Sequence, residues 1–500
     1  MDPVRVRFAP SPTGALHIGG LRTALYNYLL ARKTGGQFIL RIEDTDQKRY
    51  VEGAEAYIQE ALQWCGLETD ESPAQGGPHD PYRQSERREK YQAEVHRLLQ
   101  TDKAYYAFDT PEELESARDK AGGTFKYDAA TRGRMRNSLS LPATEVDKLL
   151  AENIPRVVRL LVEPGQSVHI KDVVRGDVTF STDELDDKVL MKADGLPTYH
   201  LANVVDDHDM RITHVIRGEE WLSSTAHHVL LYHAFDWVED MPVFAHLPLI
   251  LKPTGKGKLS KRDGQKLGIP VFPLSWEAEN LEGFRERGFH PQAVLNFLAF
   301  LGWNPGTEQE IFSLEGLVEA FSLDNVGKSG ARFDFDKAQW FNQQYISEQP
   351  AEELIPHIHK ALSPLADGES ADRLQKMAEL YKSRVRTYPE FRNQLLYLYQ
   401  APDGYDEKVI RKKWKPNVAT VFSELVDAYR NQSDWTPDGI KATTTAFMER
   451  HELGFGAVLP HLRNGIAGTG NGPGAFDMLH LLGQEESVAR LEKAVEEWNA

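Results

Sequence analysis

Cysteine is almost absent. Cys65 is the only one in 500 residues, so an intramolecular disulfide is impossible and a cysteine-rich zinc site is excluded. Long apolar runs are missing as well. No stretch of 18 apolar residues occurs, so no transmembrane helix is expected. The start, Met1-Asp2-Pro3-Val4-Arg5, has no basic-then-apolar segment of the kind that directs secretion. These features fit a cytoplasmic protein that contacts no membrane. Repeats and low-complexity segments are also lacking. Positive charge is in deficit: 58 Lys and Arg against 75 Asp and Glu leave a net charge of −17. That argues against indiscriminate nucleic-acid binding, but phosphate contacts need only a local basic strip on an otherwise acidic surface. What is present is the balance of an ordinary globular protein, with 41% hydrophobic and 27% charged residues. The length suggests roughly three to five domains.

Residues 4–8 alternate Val4, Val6 and Phe8 against Arg5 and Arg7, a short strand pattern. A turn cluster, Pro10 to Gly14, follows. Ile18, Leu21, Leu25, Tyr28 and Leu29 then recur at helical spacing until Gly35-Gly36 stops the helix. Phe38 to Glu43 reads as a second strand. Strand, glycine-containing turn, helix and strand make a βαβ unit of a parallel sheet. Residues 110–150 are polar and helical in flavour. Residues 156–190 are β-rich and read as an insertion before a strand–helix pair at 212–235. Residues 250–268 read as a glycine- and lysine-rich loop. From about 340 onward helical periodicity dominates, as in Leu374, Met377, Leu380 and Tyr381, and in Val418, Val421, Phe422, Leu425 and Val426. Ser138 to Asp147 and Gly468 to Gly474 read as turns or linkers.

Two segments carry chemistry. The first is Ala9-Pro10-Ser11-Pro12-Thr13-Gly14-Ala15-Leu16-His17-Ile18-Gly19-Gly20. A helix N-terminus after a glycine turn offers free N–H groups and a favourable dipole to phosphates. Gly19 and Gly20 leave backbone open to a flat base or ribose, and His17 donates to phosphate oxygens. The same residues make an equally good βα turn with no ligand. The second is Lys256-Gly257-Lys258-Leu259-Ser260-Lys261-Arg262. Ammonium groups on a glycine loop suit charge build-up at phosphorus, and alone they suit a solvated basic loop better.

Together, His17-Ile18-Gly19-Gly20 and Lys258-Leu259-Ser260-Lys261-Arg262 resemble the two signatures of class I aminoacyl-tRNA synthetases, usually written HIGH and KMSKS. Gly20 departs from the motif's usual histidine. Further segments resemble the glutamyl/glutaminyl branch: Arg7 to Gly14, Arg41 to Asp46, Gly76 to His79 with Tyr82 to Ser85, Gly195 to His208, and Val215 to Trp221. The helical final third resembles the bacterial-type glutamyl family. Glutaminyl relatives carry β-barrels there, with period-two runs. A short paralogue that modifies a tRNA base lacks that part, and an inactive paralogue would have lost His17, Lys258 or Lys261.

The resemblance implies an α/β architecture: a Rossmann-type class I catalytic domain in two halves, 1–105 and 191–250, split by an acceptor-end-binding insertion at 106–190. A KMSKS-like loop and stem-contact region at 251–340 and an all-helical anticodon-binding domain at 341–500 follow. It implies catalytic roles for His17, Lys258 and Lys261, with Gly19, Gly20 and Ser260 added around ATP. It implies glutamate-binding roles for Arg7, Ala9, Ser11, Glu43, Tyr199, Asn203 and Arg217. Two arginines favour an acidic side chain, Glu43 takes the ammonium group, and Tyr199 and Asn203 share a helix face. The bland alternatives are an Arg7–Glu43 cross-strand pair, a core Tyr199, and Arg217 as a surface partner of Glu219 or Glu220. Asp206, Asp207 and His208 look like a metal cluster but read better as structural. ATP with Mg2+ is the expected cofactor. Zinc is not, since Tyr105-Tyr106-Ala107-Phe108 stands where the cysteines of some relatives start. The expected partners are glutamate and its tRNA, with the glutamine tRNA as a further candidate, and the expected state is a monomer. Arg411, Lys412, Lys413 and Lys415 with Trp414 are either a phosphate-and-base contact or a solvated helix face.

Overall fold

The computed structural model describes residues 3–122 and 125–500. Met1 and Asp2, part of the N-terminal segment considered for a secretion signal, and Gly123 and Thr124 lie outside the described residues. The chain divides into two compact units, Met1–Glu286 with Pro291–Ala338, and Arg287–His290 with Gln339–Ala500.

In the first unit the chain runs through β1 (Arg5–Phe8), α1 (Ile18–Thr34), β2 (Gln37–Leu40), α2 (Ala54–Trp64), α3 (Arg88–Gln100) and β3 (Ala104–Ala107). It continues through α4 (Pro111–Lys120), α5 (Ala143–Ala151), β4 (Val157–Leu160), β5 (Ser167–Asp172), β6 (Gly176–Ser181) and β7 (Val189–Met191). Then come α6 (Tyr199–Asp209), β8 (His214–Gly218), α7 (Leu222–Ala234), β9 (Val243–Leu247), β10 (Ile250–Leu251), α8 (Lys261–Leu267) and, later, β11 (Ala331–Arg332).

Six strands form one sheet in the order β2-β1-β8-β9-β5-β6. All neighbours are parallel except the β5–β6 hairpin. The βαβ unit read at the N-terminus is β1-α1-β2, and Gly35 closes α1 in the left-handed region at φ 64°. The alternation in β1 does not separate inside from outside, because all four of its residues are buried. A sheet covered on both faces buries its polar positions too, and these must then be paired. Arg5 meets Glu71 at 2.8 Å and Arg7 meets Asp207 at 3.0 Å.

Strands β3, β4 and β7 form a separate antiparallel sheet. Between β4 and β7, however, β5 and β6 belong to the main sheet, where Asp172 stands opposite Phe244 of β9. The stretch 106–190, read as one insertion, is therefore interrupted by a hairpin of the main sheet. Alternation alone cannot tell which sheet a strand joins. Two local readings also change. The second half of the turn at 138–147 starts α5, and the second half of the loop at 250–268 is α8.

The second unit is helical, and among the described residues no strand follows β11. The helix Ala371–Tyr381 buries Leu374, Met377 and Tyr381, with Leu380 packed against the same core. The periodic run 418–426 is two helices, Pro416–Ala419 and Phe422–Arg430. The period-two runs expected of a glutaminyl-type barrel are not what these residues form.

Candidate active site

A cleft of about 950 Å³ opens at the carboxyl ends of β1 and β8, where parallel sheets bind ligands. Its lining includes His17, Arg7, Glu43, Tyr199, Asn203 and Arg217, together with Ala9, Ser11, Gly19, Gly20 and residues 258–261. Segments more than 240 residues apart in sequence thus share one site.

His17 caps α1: its Nδ1 accepts from the Gly19 N–H at 3.1 Å. A neutral imidazole with Nδ1 accepting carries its proton on Nε2. That buried nitrogen has no partner among the described residues and is a donor held ready for a ligand oxygen. Burial, then Lys258 and Lys261, push the His17 pKa down to about 4. The ring is therefore neutral between pH 5 and 8. The unfolded chain protonates first as pH falls from 6.5, so His17 weakens stability progressively from there to about pH 4. Ring resonances of His17 followed by NMR should titrate near pH 4. A midpoint near 6.5 would overturn this assignment.

The two glycines act differently. A Cβ on Gly19 would stand 3.3 Å from the capping Nδ1 of His17. A Cβ on Gly20 would stand 2.5 Å from Leu16 Cδ1. Leu16 fills the space into which the motif's usual fourth residue would project, so glycine at this position fits local packing.

The loop after β10 brings two lysines. Lys258 pairs with Glu220 at 2.7 Å. Ser260 and Asp263 form a reciprocal capping box at the start of α8, which fixes the position of Lys261. Lys261 Nζ lies 5.6 Å from the Phe272 ring centre and 3.3 Å from where a Gly14 Cβ would be. His17 packs edge-on against the same phenylalanine at 6.0 Å.

On the other side of the cleft lies a buried ion network. Arg7 donates from Nε and Nη2 to the two oxygens of Asp207, at 3.0 and 3.3 Å. Arg41 donates to Asp207 at 2.8 Å and to Glu43 at 3.1 Å, and Asn203 also donates to Glu43 at 3.1 Å. Asp206 accepts from Arg87, Gln84 and Tyr91. His208 stacks on Trp237, with ring centres 3.7 Å apart. The Asp206-Asp207-His208 run is thus taken up by ion pairs, hydrogen bonds and a ring stack. Arg7 pairs with Asp207, not Glu43. Because one edge of Arg7 is taken, only its outer edge is open to a ligand. Burial raises the Glu43 pKa, with Arg41 and Arg7 opposing.

Arg217 is not a surface residue paired with Glu219 or Glu220. It is 5% exposed and donates to Tyr199, Thr225 and His246, while Glu219 pairs with Arg175 and Glu220 with Lys258. Burial, opposed by Arg217, pushes the Tyr199 hydroxyl up to about 12, so it stays protonated. Asp172, His246 and Thr225 were not singled out by sequence reasoning. Only the Asp206-Asp207 pair gave a signal for this network.

In the second unit, Arg411, Lys412, Lys413 and Lys415 are exposed. Trp414 is not a free stacking surface. Its ring packs on Phe422, His461 and Trp498, and its indole N–H donates to Asn499.

Residues 3–340 match the family model described as tRNA synthetases class I (E and Q), catalytic domain, and residues 349–495 match an anticodon binding domain. The chain belongs to the class I tRNA synthetases of the E and Q type. Within that family, a glutamate–tRNA ligase of Bacteroides thetaiotaomicron is 50% identical over 99% of this chain and 98% of its own length. One of Porphyromonas gingivalis is 49% identical over the same shares. The crystal structure of a glutamate tRNA ligase from Elizabethkingia meningosepticum in complex with its amino acid is 48% identical. It superposes with a TM-score of 0.93 over 99% of both chains. The synthetase thus combines a class I catalytic domain with a C-terminal anticodon domain.

Proposed function

We propose that this synthetase is a glutamate–tRNA ligase, which activates L-glutamate with ATP and transfers it to the terminal adenosine of glutamate tRNA. The observation that carries the substrate reading is the placement of two buried arginines, Arg7 and Arg217, in the same cleft as His17 and the 258–261 loop. A guanidinium pair in a poorly hydrated site favours a carboxylate side chain. Glu43, held by Arg41 and Asn203, receives the substrate ammonium. Tyr199 and Asn203 border the side chain, and Ala9 and Ser11 complete the pocket wall.

The α-carboxylate of glutamate attacks the α-phosphorus of ATP, forming glutamyl-adenylate and expelling pyrophosphate. The nucleophile is already ionised, so no general base is needed. Rate comes from positioning and from donors aimed at the phosphates: the Nε2–H of His17, Lys258 and Lys261, with Gly19 and Gly20 leaving room for the nucleotide beside the backbone and Ser260 capping the helix that starts at Lys261. The 2′-hydroxyl of the tRNA terminus then attacks the adenylate carbonyl and AMP leaves. Among the described residues no three His, Cys, Asp or Glu side chains are arranged to hold an ion. Magnesium would travel with the nucleotide phosphates and water.

The anticodon domain supports tRNA as the acceptor, with the exposed Arg411–Lys415 run near phosphates. No helix among the described residues is long and apolar enough to cross a membrane, and we place the enzyme in the cytoplasm as a monomer. The test is aminoacylation with radiolabelled glutamate and ATP, using glutamate tRNA and glutamine tRNA in parallel. Charging of the glutamate tRNA is expected. The second tRNA sorts a discriminating enzyme from a non-discriminating one. A folded protein that charges neither would overturn the reading.

A further inference from the structure

Arg217 is held by a buried chain of hydrogen bonds, and the part that chain plays in specificity rests on the proposed role of Arg217 as a ligand of the substrate side chain. Asp172 ends β5 and is 2% exposed. Its Oδ1 accepts three backbone N–H groups, from Val174 at 3.0 Å, Arg175 at 2.8 Å and His246 at 3.2 Å. Its Oδ2 lies 2.5 Å from His246 Nδ1. His246, on β9, is fully buried, and its Nε2 lies 3.1 Å from Arg217 Nε. Arginine only donates, so Nε2 accepts and the imidazole proton sits on Nδ1, facing Asp172. Burial foremost, and Arg217 further on, hold the His246 pKa below its ordinary value, although Asp172 opposes them. The ring therefore stays neutral.

The remaining contacts of Arg217 complete the geometry. Nη2 donates to Thr225 Oγ1 at 2.8 Å and Nη1 donates to the Tyr199 hydroxyl at 2.5 Å. Of the five guanidinium N–H bonds, three are engaged. One remains on each Nη atom, the number a carboxylate takes in a bidentate pair.

We propose that Asp172 and His246 are positioning residues that orient the guanidinium of Arg217 toward a carboxylate side chain and so set the preference for an acidic amino acid. Asp172 acts without touching substrate. It lies in the hairpin that interrupts the inserted segment, and its route to the pocket is through the imidazole.

The three backbone donors on Oδ1 make the proposal sharply testable. In an Asp172→Asn variant the single amide oxygen is claimed by those donors, so the amide nitrogen must face His246 Nδ1. Nδ1 then has to accept, the ring proton moves to Nε2, and N–H meets N–H at Arg217. The turn survives while the guanidinium loses its anchor. The expected result is a rise in the glutamate KM of about tenfold or more, with the ATP KM unchanged. The preference for glutamate over glutamine in kcat/KM should fall by a similar factor. His246→Leu should behave the same way. His246→Gln, which keeps an acceptor for Arg217 and a donor for Asp172, should stay within about threefold of the parent by the same hydrogen-bond argument.

Arg217→Lys tests the reading underneath. If it raises the glutamate KM while Asp172→Asn and His246→Leu do not, the positioning role is overturned and the ligand role stands. If Arg217→Lys leaves the glutamate KM unchanged, the ligand role itself falls. Equal losses in His246→Gln and His246→Leu, or parallel rises in the ATP and glutamate KM, would mean general damage to the site and overturn the proposal.

Discussion

The Lys261→Ala variant is expected to form glutamyl-adenylate about 100- to 1000-fold more slowly, the cost of removing one preorganised charge from a phosphoryl-group transition state. The two signature lysines are not equivalent in this structure. Lys258 is tied to Glu220 at 2.7 Å and must leave a carboxylate before it can meet a phosphate. Lys261 makes no ion pair among the described residues, and the capping box of Ser260 and Asp263 holds its backbone at the first position of α8. It sits over Phe272, against which His17 also packs. The loss should appear in kcat for pyrophosphate exchange measured with tRNA present. The glutamate KM should be preserved, because Arg7 and Arg217 lie on other elements. A turnover within about threefold of the parent, too small a change for a lost transition-state charge, would remove Lys261 from the chemistry.

The lining of the cleft was legible in the sequence wherever it is built from a short contiguous motif. His17 needs only the turn before α1 and Gly19 after it, and Lys261 needs only Ser260 and Asp263. Tyr199 and Asn203 could be placed together because four residues make one helical step. Arg217 stands out as a charge after an apolar run, but local spacing points to the wrong partners. Glu219 and Glu220 are near in sequence, yet β8 turns Arg217 inward to His246, which is 29 residues away. Arg7 misleads for a similar reason: Asp207 lies 200 residues away. Pairings between strands, or between a strand and a helix, that are far apart in the chain leave no trace in local spacing. The sheet membership of β5 and β6 was hidden for the same reason. The run at 411–415 showed the opposite difficulty. An aromatic among basic residues reads as a nucleic-acid contact, but composition does not say that three rings already surround Trp414.

Replacing Asp207 by alanine is expected to lower the unfolding free energy by about 3–5 kcal/mol, the range for breaking a buried ion pair from one side. Asp207 is 3% exposed and serves two buried arginines at once, Arg7 through both oxygens and Arg41 at 2.8 Å. Removing it leaves Arg7 without its carboxylate partner and Arg41 with only Glu43 and the more distant Asp206. Burial works to raise the Asp207 pKa, but Arg7 and Arg41 more than offset it and hold the carboxyl below its ordinary value. Its contribution is therefore full above about pH 4 and is lost as pH falls through the lowered folded value. Asp207→Asn should flatten that acid limb while keeping side-chain volume. Both variants should also raise the glutamate KM, because Arg7 is aimed by the edge that Asp207 grips. Urea midpoints between pH 3 and 7, compared with glutamate KM at pH 7, separate the two effects. A stability loss below about 1 kcal/mol, the range of exposed pairs, would show that Glu43 and Asp206 suffice to balance the two guanidinium groups.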